Sequence, residues 1–554
     1  AGGKPAAFGI THSNSKDLSH FKAKMRYTQY SAYIQDQMNI SENFKLTAGI
    51  RFEMPKYPSL DNNFNAAFNK LEFADGVHYS TDQLPSSRIS VSPRVGFNWD
   101  ITGERKYVLR GGTGIFVGRL PFVWLVSTVG NSGVGQTTTF YNNLEEAKNR
   151  GINQPNYHNN VKDILSDLYP NGFDPKDPAV PSTPTIIDKD LKMPSTWKTS
   201  LALDVKLPGD IDFTLEGIYN RDINPAVVTD KSYKEPTETI ELSRYDIRKK
   251  YGEKWNPNSV YLIENAGNKA YYYSISAQLA KQFSCGLNMS FAYTHSHAKS
   301  YTEGLGDQVT SSYKTGTYSV NGINDHELGY GSYVAPDRII ATVGYRKEYG
   351  KHFASAISLI YDGSQIGYSG SWSYTRYSYT FDKNVIGDGY GANSLIYIPA
   401  SREELNDWNF TASTYKENGK SVEYSADAQR NDFWAFINQD SYLKKHKGEY
   451  AKRGGGIMPW RHQFDVKFMQ DFYVKVGGKR NTLQFGVDIE NIGNLLNHKW
   501  GLYKQLNSTS ILNYSNGAYH FNTNNGERLT SSFRNYQSFN STYSVQFSLR
   551  YIFN

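Results

Sequence analysis

The fold is decided by STYSVQFSLRYIFN, residues 541–554, at the C-terminal end of the sequence. Every odd position from Tyr543 to Phe553 is apolar or aromatic, and the even positions from Ser544 to Arg550 are polar. A period of two residues predicts a β-strand with one apolar face and one polar face. In a water-soluble protein the apolar face would pack on a core, whereas in a membrane protein it would face lipid.

The same pattern recurs along the chain and predicts an all-β protein. Each strand has about ten residues or more, which is the length that a tilted strand needs to cross a bilayer. The strands fall in residues 24–53, 92–118, 197–220, 270–296, 337–363, 461–493 and 543–553.

Short and long connections alternate strictly between these strands. The short ones lie at residues 41–43, 102–105, 208–210, 284–286, 350–352 and 477–480. The long ones lie at about residues 55–88, 118–195, 221–269, 298–336, 363–460 and 494–541. Outer-membrane barrels have short periplasmic turns and long extracellular loops, whereas a soluble sandwich has no reason to place every long loop at one end. The pattern therefore predicts a transmembrane antiparallel β-barrel that is integral to the outer membrane, with lipid and lipopolysaccharide around it.

Composition agrees with a barrel and argues against other classes. The mean hydropathy is -0.60. The sequence contains no run of about 18 apolar residues, which is the length that a membrane-spanning helix needs. The 43 Tyr and 29 Phe residues suit strands that alternate between lipid and water, and they argue against disorder. Lys and Arg are scattered, so the net charge of +7 indicates a solvated surface and no nucleic-acid partner.

The strand count and direction predict that the sheet is incomplete. About thirteen strands can be counted, whereas bacterial single-chain barrels have an even number. The first strand, from about Lys24 to Ile40, and the last strand both run towards the short turns. Residues 1–23 would then be the remnant of an extracellular loop, and residues 24–554 would form the C-terminal part of the barrel. Unpaired strand edges are not tolerated in lipid, so other strands must complete the sheet.

Five stretches resemble one family, and they occur in that family's order. They are YIQDQMNISENFKLTAGIRFE, SPRVGFNWDITGERKYVLRGGTGIFVGRLPFVW, MPWRHQFDVKFMQDF, LQFGVDIENIGNLLNHKWG and the aromatic C-terminus. Together they are similar to the barrel of TonB-dependent outer-membrane transporters, and most similar to the Oar-like group of the Bacteroidota. The matches extend from about Tyr33 to Phe553, and the long loops are unmatched.

The resemblance implies a barrel of about 22 strands that is plugged by an N-terminal domain and driven by TonB. The plug, the TonB box and the early strands have no counterpart in this sequence. Either the N-terminal part is a separate chain, produced by a nick in an extracellular loop, or the upstream segment is simply not part of this sequence. The implied partners are the plug with the early strands, TonB, and a possible surface lipoprotein.

Candidate ligand-binding residues are aromatic side chains in the long loops. Trp124, Trp372, Tyr374 and Tyr377 are expected at or above the outer rim, where aromatic rings beside Arg can stack on sugars, heterocycles or peptides. The alternative is that these rings serve in loop packing and in the interfacial aromatic girdle.

No residue pattern predicts catalysis, a resident metal or a cofactor. His295 and His297 point to the same side of one strand, but no Cys or carboxylate cluster completes a metal site. The acidic segments FDPKDP and FDKNVIGDGYGAN could hold calcium, although ordinary turns explain them better. In RGGTGIFVG, residues 110–118, no Lys-Ser or Lys-Thr follows, so the glycines predict a close backbone approach, here to a plug, and not a phosphate loop.

Two functions remain open on this sequence. The first is active import of a scarce nutrient through a plugged barrel, without enzyme chemistry. The second is a surface scaffold whose long loops dock lipoproteins or secreted proteins.

Overall fold

The computed structural model describes residues 3–15, 17–19, 21–172, 178–256, 258–303, 306–389 and 391–553. Thirteen long strands follow one another in a single antiparallel sheet, and each pairs with its neighbours in chain order. We number these wall strands β1 (Thr28–Asn39), β2 (Phe44–Lys56), β3 (Ser90–Asp100), β4 (Tyr107–Val117), β5 (Ser195–Leu207), β6 (Ile211–Ile223), β7 (Tyr271–Gln282), β8 (Leu287–Ser300), β9 (Asp337–Tyr349), β10 (Phe353–Gln365), β11 (Trp460–Val476), β12 (Lys479–Glu490) and β13 (Ser544–Phe553).

The apolar face of the wall is exposed, as the predicted membrane barrel requires. On β13, Phe547, Leu549 and Phe553 have exposed fractions of 68%, 70% and 74%. Their partners on β12 are also apolar, since Phe547 lies opposite Val487 and Leu549 lies opposite Phe485. No protein core covers this face in the described residues, so the predicted all-β fold with an outward apolar face is confirmed.

The short turns close one end of the wall with few residues. Gly477 and Gly478 alone join β11 to β12, and both have positive φ, 59° and 81°. A two-residue hairpin needs this left-handed geometry, because it matches the twist of the flanking strands. At Gly286, between β7 and β8, φ is 93°, and an added Cβ would lie 2.1 Å from the Arg346 carbonyl oxygen. This turn therefore requires glycine.

Aromatic side chains gather at both ends of the apolar face. At the short-turn end the ring of Phe44 packs against Trp99, with centroids 6.3 Å apart. At the opposite end Trp197 packs against Tyr219, and His297 stacks against Tyr273. Two aromatic belts separated by an apolar band are typical of transmembrane barrels.

The described parts of the long connections and of residues 3–27 fold into a structured region that we call the loop layer. Its first strand, Phe8–Ser13, pairs with Gln136–Tyr141. The other loop strands are Thr185–Ile187, Ala226–Asp230, Glu238–Ser243, Asp246–Lys250, Tyr261–Asn265, Gly329–Tyr330, Gly367–Ser369, Trp372–Tyr374, Arg376–Tyr377, Thr380–Phe381, Ser413–Glu417, Lys420–Tyr424, Gly456–Ile457, Lys504–Leu506, Ser510–Ser515, Ala518–Phe521, Thr523–Asn524, Glu527–Arg528 and Phe533–Asn535.

Short helices complete the loop layer. The α-helices are Ala66–Asn69, Phe122–Gly130, Leu144–Asn149, Val161–Leu168, Val309–Lys314, Ala426–Gln439 and Ile492–Leu496, and the 3-10 helices are Asp61–Asn63, Ala74–Gly76, Glu404–Asp407, Leu443–Lys445 and Phe539–Ser541. Within the part of the chain that the structure describes, none of these helices combines the length and the hydropathy of a membrane-spanning segment.

The buried apolar cores lie in the loop layer and not behind the wall. The largest joins distant connections around Trp408, Phe433 and Tyr519. A second core surrounds Trp124 and Tyr313. Small sheets link the same connections, for example where Thr380–Phe381 pairs with Ser510–Ser515. The long loops are therefore ordered by one another and not only by the strands that carry them.

The wall has two open edges in the described residues. Strand β1 pairs with β2 alone, and β13 pairs with β12 alone. Each edge presents backbone N–H and C=O groups along most of a membrane-spanning strand, a state that lipid does not satisfy.

Candidate functional site

The four aromatic candidates lie in different parts of the loop layer. Trp124 is 8% exposed and belongs to the second core, with its Nε1 left without a hydrogen-bond partner. Tyr377 is 4% exposed and belongs to the largest core. Tyr374 is partly buried, and its hydroxyl accepts a hydrogen bond from the Leu506 N–H at 3.1 Å. Only Trp372, at 70% exposure, presents its ring to solvent, so these residues do not converge on one site.

The side chain of Tyr377 has a structural role. Its hydroxyl donates to the buried carboxylate of Asp440 at 3.0 Å, and the Tyr379 hydroxyl donates to the same oxygen at 2.8 Å. Burial, with repulsion from Asp440, raises the pKa of both tyrosines. Both hydroxyls therefore remain protonated donors, and this part of the loop layer is held together by them.

The two histidines have separate partners. His295 Nδ1 lies 2.9 Å from the Asp337 carboxylate, while the His297 ring stacks on Tyr271 and Tyr273. Among the described residues no group of three or more His, Cys, Asp or Glu side chains is placed to hold a metal ion.

The acidic loop segments show no common ligand set where they can be seen. Residues 173–177 of FDPKDP and Tyr390 of the second segment lie outside the described residues. In that second segment, Asp388 accepts the Ile323 N–H at 3.0 Å, and Asp382 accepts from Asn513 Nδ2 at 3.0 Å. These two carboxylates connect separate loops.

A different group of side chains comes together on the polar face of the wall. Gly114 on β4 is the direct cross-strand partner of Arg94 on one side and of Lys198 on the other. An added Cβ at Gly114 would lie 3.0 Å from Arg94 Cγ. The glycine therefore lets the two cationic side chains share the space above one strand.

Phe116 stands two residues farther along β4, on the same polar face. The Arg94 guanidinium carbon lies 4.6 Å from the centre of the Phe116 ring, and Lys198 Nζ lies 5.4 Å from it. Both distances are within the range of a cation–π interaction. The ring therefore holds two like charges near each other without neutralising either of them.

Neither cation forms a close ion pair among the described residues, although the charge of Lys198 acts on the nearby Asp222 carboxylate. No carboxylate oxygen of the described residues lies within 4.0 Å of a side-chain nitrogen of Arg94 or Lys198. The nearby carboxylate of Glu216 lies 3.7 Å from the Arg110 guanidinium, and Asp222 accepts from Thr196 Oγ1 at 3.3 Å. On the same face Lys467 is paired with Asp488 at 2.9 Å.

A cavity of about 480 Å³ lies between these side chains and a floor of small residues. One row across the wall reads Thr47, Gly96, Gly112, Ser200 from β2 to β5, directly beside the row that holds Arg94, Gly114 and Lys198. Glycine leaves the backbone bare, so a flat group can lie directly against the wall.

A second cavity of about 470 Å³ continues from the first towards the loop layer. The two share Phe116 and Lys198, and the second is also lined by Arg119, Trp124 and Asp222. Trp124 thus contributes to a cavity wall although its ring is largely buried. The two cavities therefore adjoin at Phe116 and Lys198, between the polar face and the base of the loop layer.

One feature of the sequence, the aromatic residue Phe116 that follows the glycines of β4, indicates this site. Alternation along β4 assigns the even positions 110, 112 and 114 to the polar face, and Phe116 continues that series. A lone aromatic at a polar-face position marks a place where a ring has a specific neighbour. The prediction of a close approach at RGGTGIFVG considered the glycines and not the two cations across the sheet.

The chain is similar in fold to solved outer-membrane transporters. The outer membrane transporter YddB from Escherichia coli shares 10% identity, with 95% of this chain and 45% of that chain covered at a TM-score of 0.43. The siderophore receptor PirA from Acinetobacter baumannii shares 9%, covering 86% and 43% at a TM-score of 0.36. The FrpB iron transporter of Neisseria meningitidis, F3-3 variant, shares 11%, covering 87% and 43% at a TM-score of 0.36.

The chain spans less than half the length of these three solved structures. A comparison with curated protein sequences gives no significant match. A family model described as an outer membrane beta barrel domain matches residues 4–537, which is nearly the whole chain. With the outward apolar face and the aromatic belts, this match places the protein in the outer membrane as an integral component. The chain belongs to the outer membrane beta barrel domain family.

Proposed function

We propose that this chain forms most of the wall, and the outer loops, of a TonB-dependent transporter that imports a scarce nutrient. One observation carries the proposal: the wall has a polar, charged inner face on thirteen strands and is still open. A barrel that includes this sheet is wider than thirteen strands, and barrels of that width enclose water or a plug and not a packed core.

The remaining parts of the transporter are then supplied by other segments. Strands pairing with the free edges of β1 and β13 would satisfy the backbone groups that lipid cannot. A plug inside the barrel would block passive leakage, and TonB would move it using energy from the inner membrane. The bare backbone at Gly96 and Gly112 gives such a plug, or its cargo, a place to approach the wall. Within these transporters we assign the chain to the Oar-like group of the Bacteroidota, because five stretches of its sequence resemble that group.

The protein itself has no enzymatic role in this proposal. The loop layer captures cargo, and the polar face passes it inward. Neither step needs a bond to be made or broken, and no resident metal or cofactor takes part.

The test compares three strains on media that each limit a single nutrient. One strain lacks the whole transporter, one lacks TonB, and one lacks only the TonB-contacting segment of the plug. Import predicts the same growth defect, on the same nutrient, in all three. Full growth of the last strain on every medium on which the first fails would contradict TonB-driven import.

The second candidate function is a surface scaffold, and the observation that favours it is the loop layer. Its buried cores and cross-loop sheets form a stable platform, and Trp372 projects from it into solvent. Loss of a surface lipoprotein in the deletion strain, with unchanged growth on every limiting medium, would support the scaffold in place of import.

A further inference from the structure

We propose that Arg94, Lys198 and Phe116 form a binding site for an organic anion that carries a flat ring beside its negative charge. The inference deepens the proposed function, on which it rests, by assigning a chemical class to the cargo. The ligand would lie on the glycine floor and direct its acidic group at the two cations.

The charge of the ligand follows from the unpaired cations. Arg94 and Lys198 face the same cavity and have no carboxylate oxygen within 4.0 Å in the described chain. Glu216 also lines this cavity, but its carboxylate lies 3.7 Å from the Arg110 guanidinium. Two like charges held beside one ring repel each other, and an anion between them would relieve that repulsion. Hydrogen bonds from Arg or Lys to carboxylate or phosphate oxygens are about twice as strong as neutral ones.

The shape of the ligand follows from the floor. Gly96 and Gly112 lie directly opposite each other on β3 and β4, so two adjacent strands present bare backbone at the same level. The hydroxyls of Thr47 and Ser200 stand at the two ends of this row. A planar ring fits such a floor better than a bulky group does, because only its edges meet side chains.

The position of the site favours a small solute over a fixed protein segment. The cavity shares Phe116 and Lys198 with the adjoining cavity at the base of the loop layer. A solute that leaves the loops would therefore reach the site without crossing the rest of the wall. A plug carboxylate held permanently between the two cations is the alternative, and the experiment below distinguishes it.

The experiment uses the complete transporter with all of its chains, purified in detergent, and isothermal titration calorimetry. The probe is phenyl phosphate, which joins a ring to an anion. Inorganic phosphate tests the charge alone, and benzyl alcohol tests the ring alone. The variants are Arg94→Gln, Lys198→Gln and Arg94→Lys, with Lys467→Gln as the matched control on the same face, where the lysine already has an acidic partner.

We expect phenyl phosphate to bind and benzyl alcohol not to bind. Arg94→Gln and Lys198→Gln should each weaken phenyl phosphate at least about tenfold, which is the scale of one charge-assisted hydrogen bond. Arg94→Lys should restore part of the loss, and Lys467→Gln should have no effect. Absence of phenyl phosphate binding, as a resident plug carboxylate would cause, would overturn the proposal. Equal binding in the wild type and both Gln variants would do the same.

A second pair of variants tests the glycine floor. An added Cβ at Gly96 would meet no atom closer than 3.6 Å, so Gly96→Leu can fold and fill the floor. It should weaken phenyl phosphate while leaving inorganic phosphate binding unchanged. Gly217→Leu, on the outward face where an added Cβ would meet nothing within 4 Å, is the control. Equal weakening of both probes by Gly96→Leu would contradict a site for a ring.

These binding measurements need neither TonB nor an energised membrane. If the probes bind as expected but the growth test shows no dependence on TonB, import fails and the anion site stands. If growth depends on TonB but the Gln variants bind normally, the anion site fails and import stands.

Discussion

Ser532 donates a hydrogen bond to the buried Asp440 carboxylate at 2.6 Å, and this bond joins two long connections of the loop layer. Asp440 also accepts from the Tyr377 and Tyr379 hydroxyls and from the Tyr442 and Leu443 N–H groups. One carboxylate thus satisfies donors from both sides of the largest core. The loop layer is built as a domain whose parts come from different long connections.

Asp440→Ala should loosen this part of the loop layer without opening the wall. Each buried donor that loses its acceptor costs roughly 1–3 kcal/mol. Amide hydrogen exchange should rise in the helix Ala426–Gln439 and in residues 530–535, while β11 and β12 keep their protection. Asp427→Ala, an exposed carboxylate on the same helix that pairs with Arg430, is the control and should change little. Unchanged exchange in Asp440→Ala would show that the carboxylate is not central to this core.

Acid should weaken the loop layer around His326. Burial lowers the pKa of His326 to about 4, whereas the unfolded chain has a His pKa of about 6.5. Because the folded state resists protonation, the unfolded state binds more protons between these two values, and stability falls as pH drops through this window. Glu264 and Asp325 oppose the shift, while Lys231 and Arg453 add to it. The largest loss is about 3 kcal/mol.

Limited proteolysis at pH 7 and pH 5 measures this effect. The wild type should be cut faster at pH 5 in residues 321–330, and His326→Asn should lose most of that pH dependence. His78→Asn, at an exposed position of the same layer, should behave as the wild type does. An identical acid response in His326→Asn would assign the sensitivity to other groups.

Gly286→Ala should impair assembly of the β7–β8 hairpin. The new Cβ would collide with the Arg346 carbonyl, and the backbone is in the left-handed region. Strain of this kind costs about 1–3 kcal/mol. The unfolding temperature of the complete barrel, followed by its shift in gel mobility on heating, should fall. Gly217→Ala should leave it unchanged, and an equal effect of both variants would refute the steric argument.

The wall strands could be predicted from the sequence, because the alternation of apolar and polar residues that defines them lies within short, continuous stretches. Alternation from Phe44 to Phe52 and from Tyr543 to Phe553 fixes strand, face and direction, and the short turns fix the register. The predicted first strand begins near Lys24, whereas β1 begins at Thr28. Met25 and Tyr27 alternate with Lys24 and Arg26 as in a strand, but they pack against a core of the loop layer.

The loop layer and the candidate site could not be predicted in the same way. Contacts between segments far apart in the chain determine these features. Examples are the pairing of Thr380 with Ser510 and the hydrogen bond from the Tyr377 hydroxyl to Asp440. No local period encodes them. Arg94 and Lys198 are brought to Gly114 only by the register of three strands. Phe116 was the one local sign, because it places a ring among the polar positions of β4.

The central claim is that alternate residues of the wall face lipid and water. Spin labels on single cysteines, introduced as Val545→Cys, Gln546→Cys, Phe547→Cys, Ser548→Cys and Leu549→Cys in a Cys285→Ser background, measure this directly in the complete transporter in lipid. We predict that labels at 545, 547 and 549 are relaxed by oxygen, which concentrates in lipid, and that labels at 546 and 548 are relaxed by a water-soluble nickel chelate. Equal access of the chelate to all five positions, or exclusion of both reagents at the odd positions, would contradict the account.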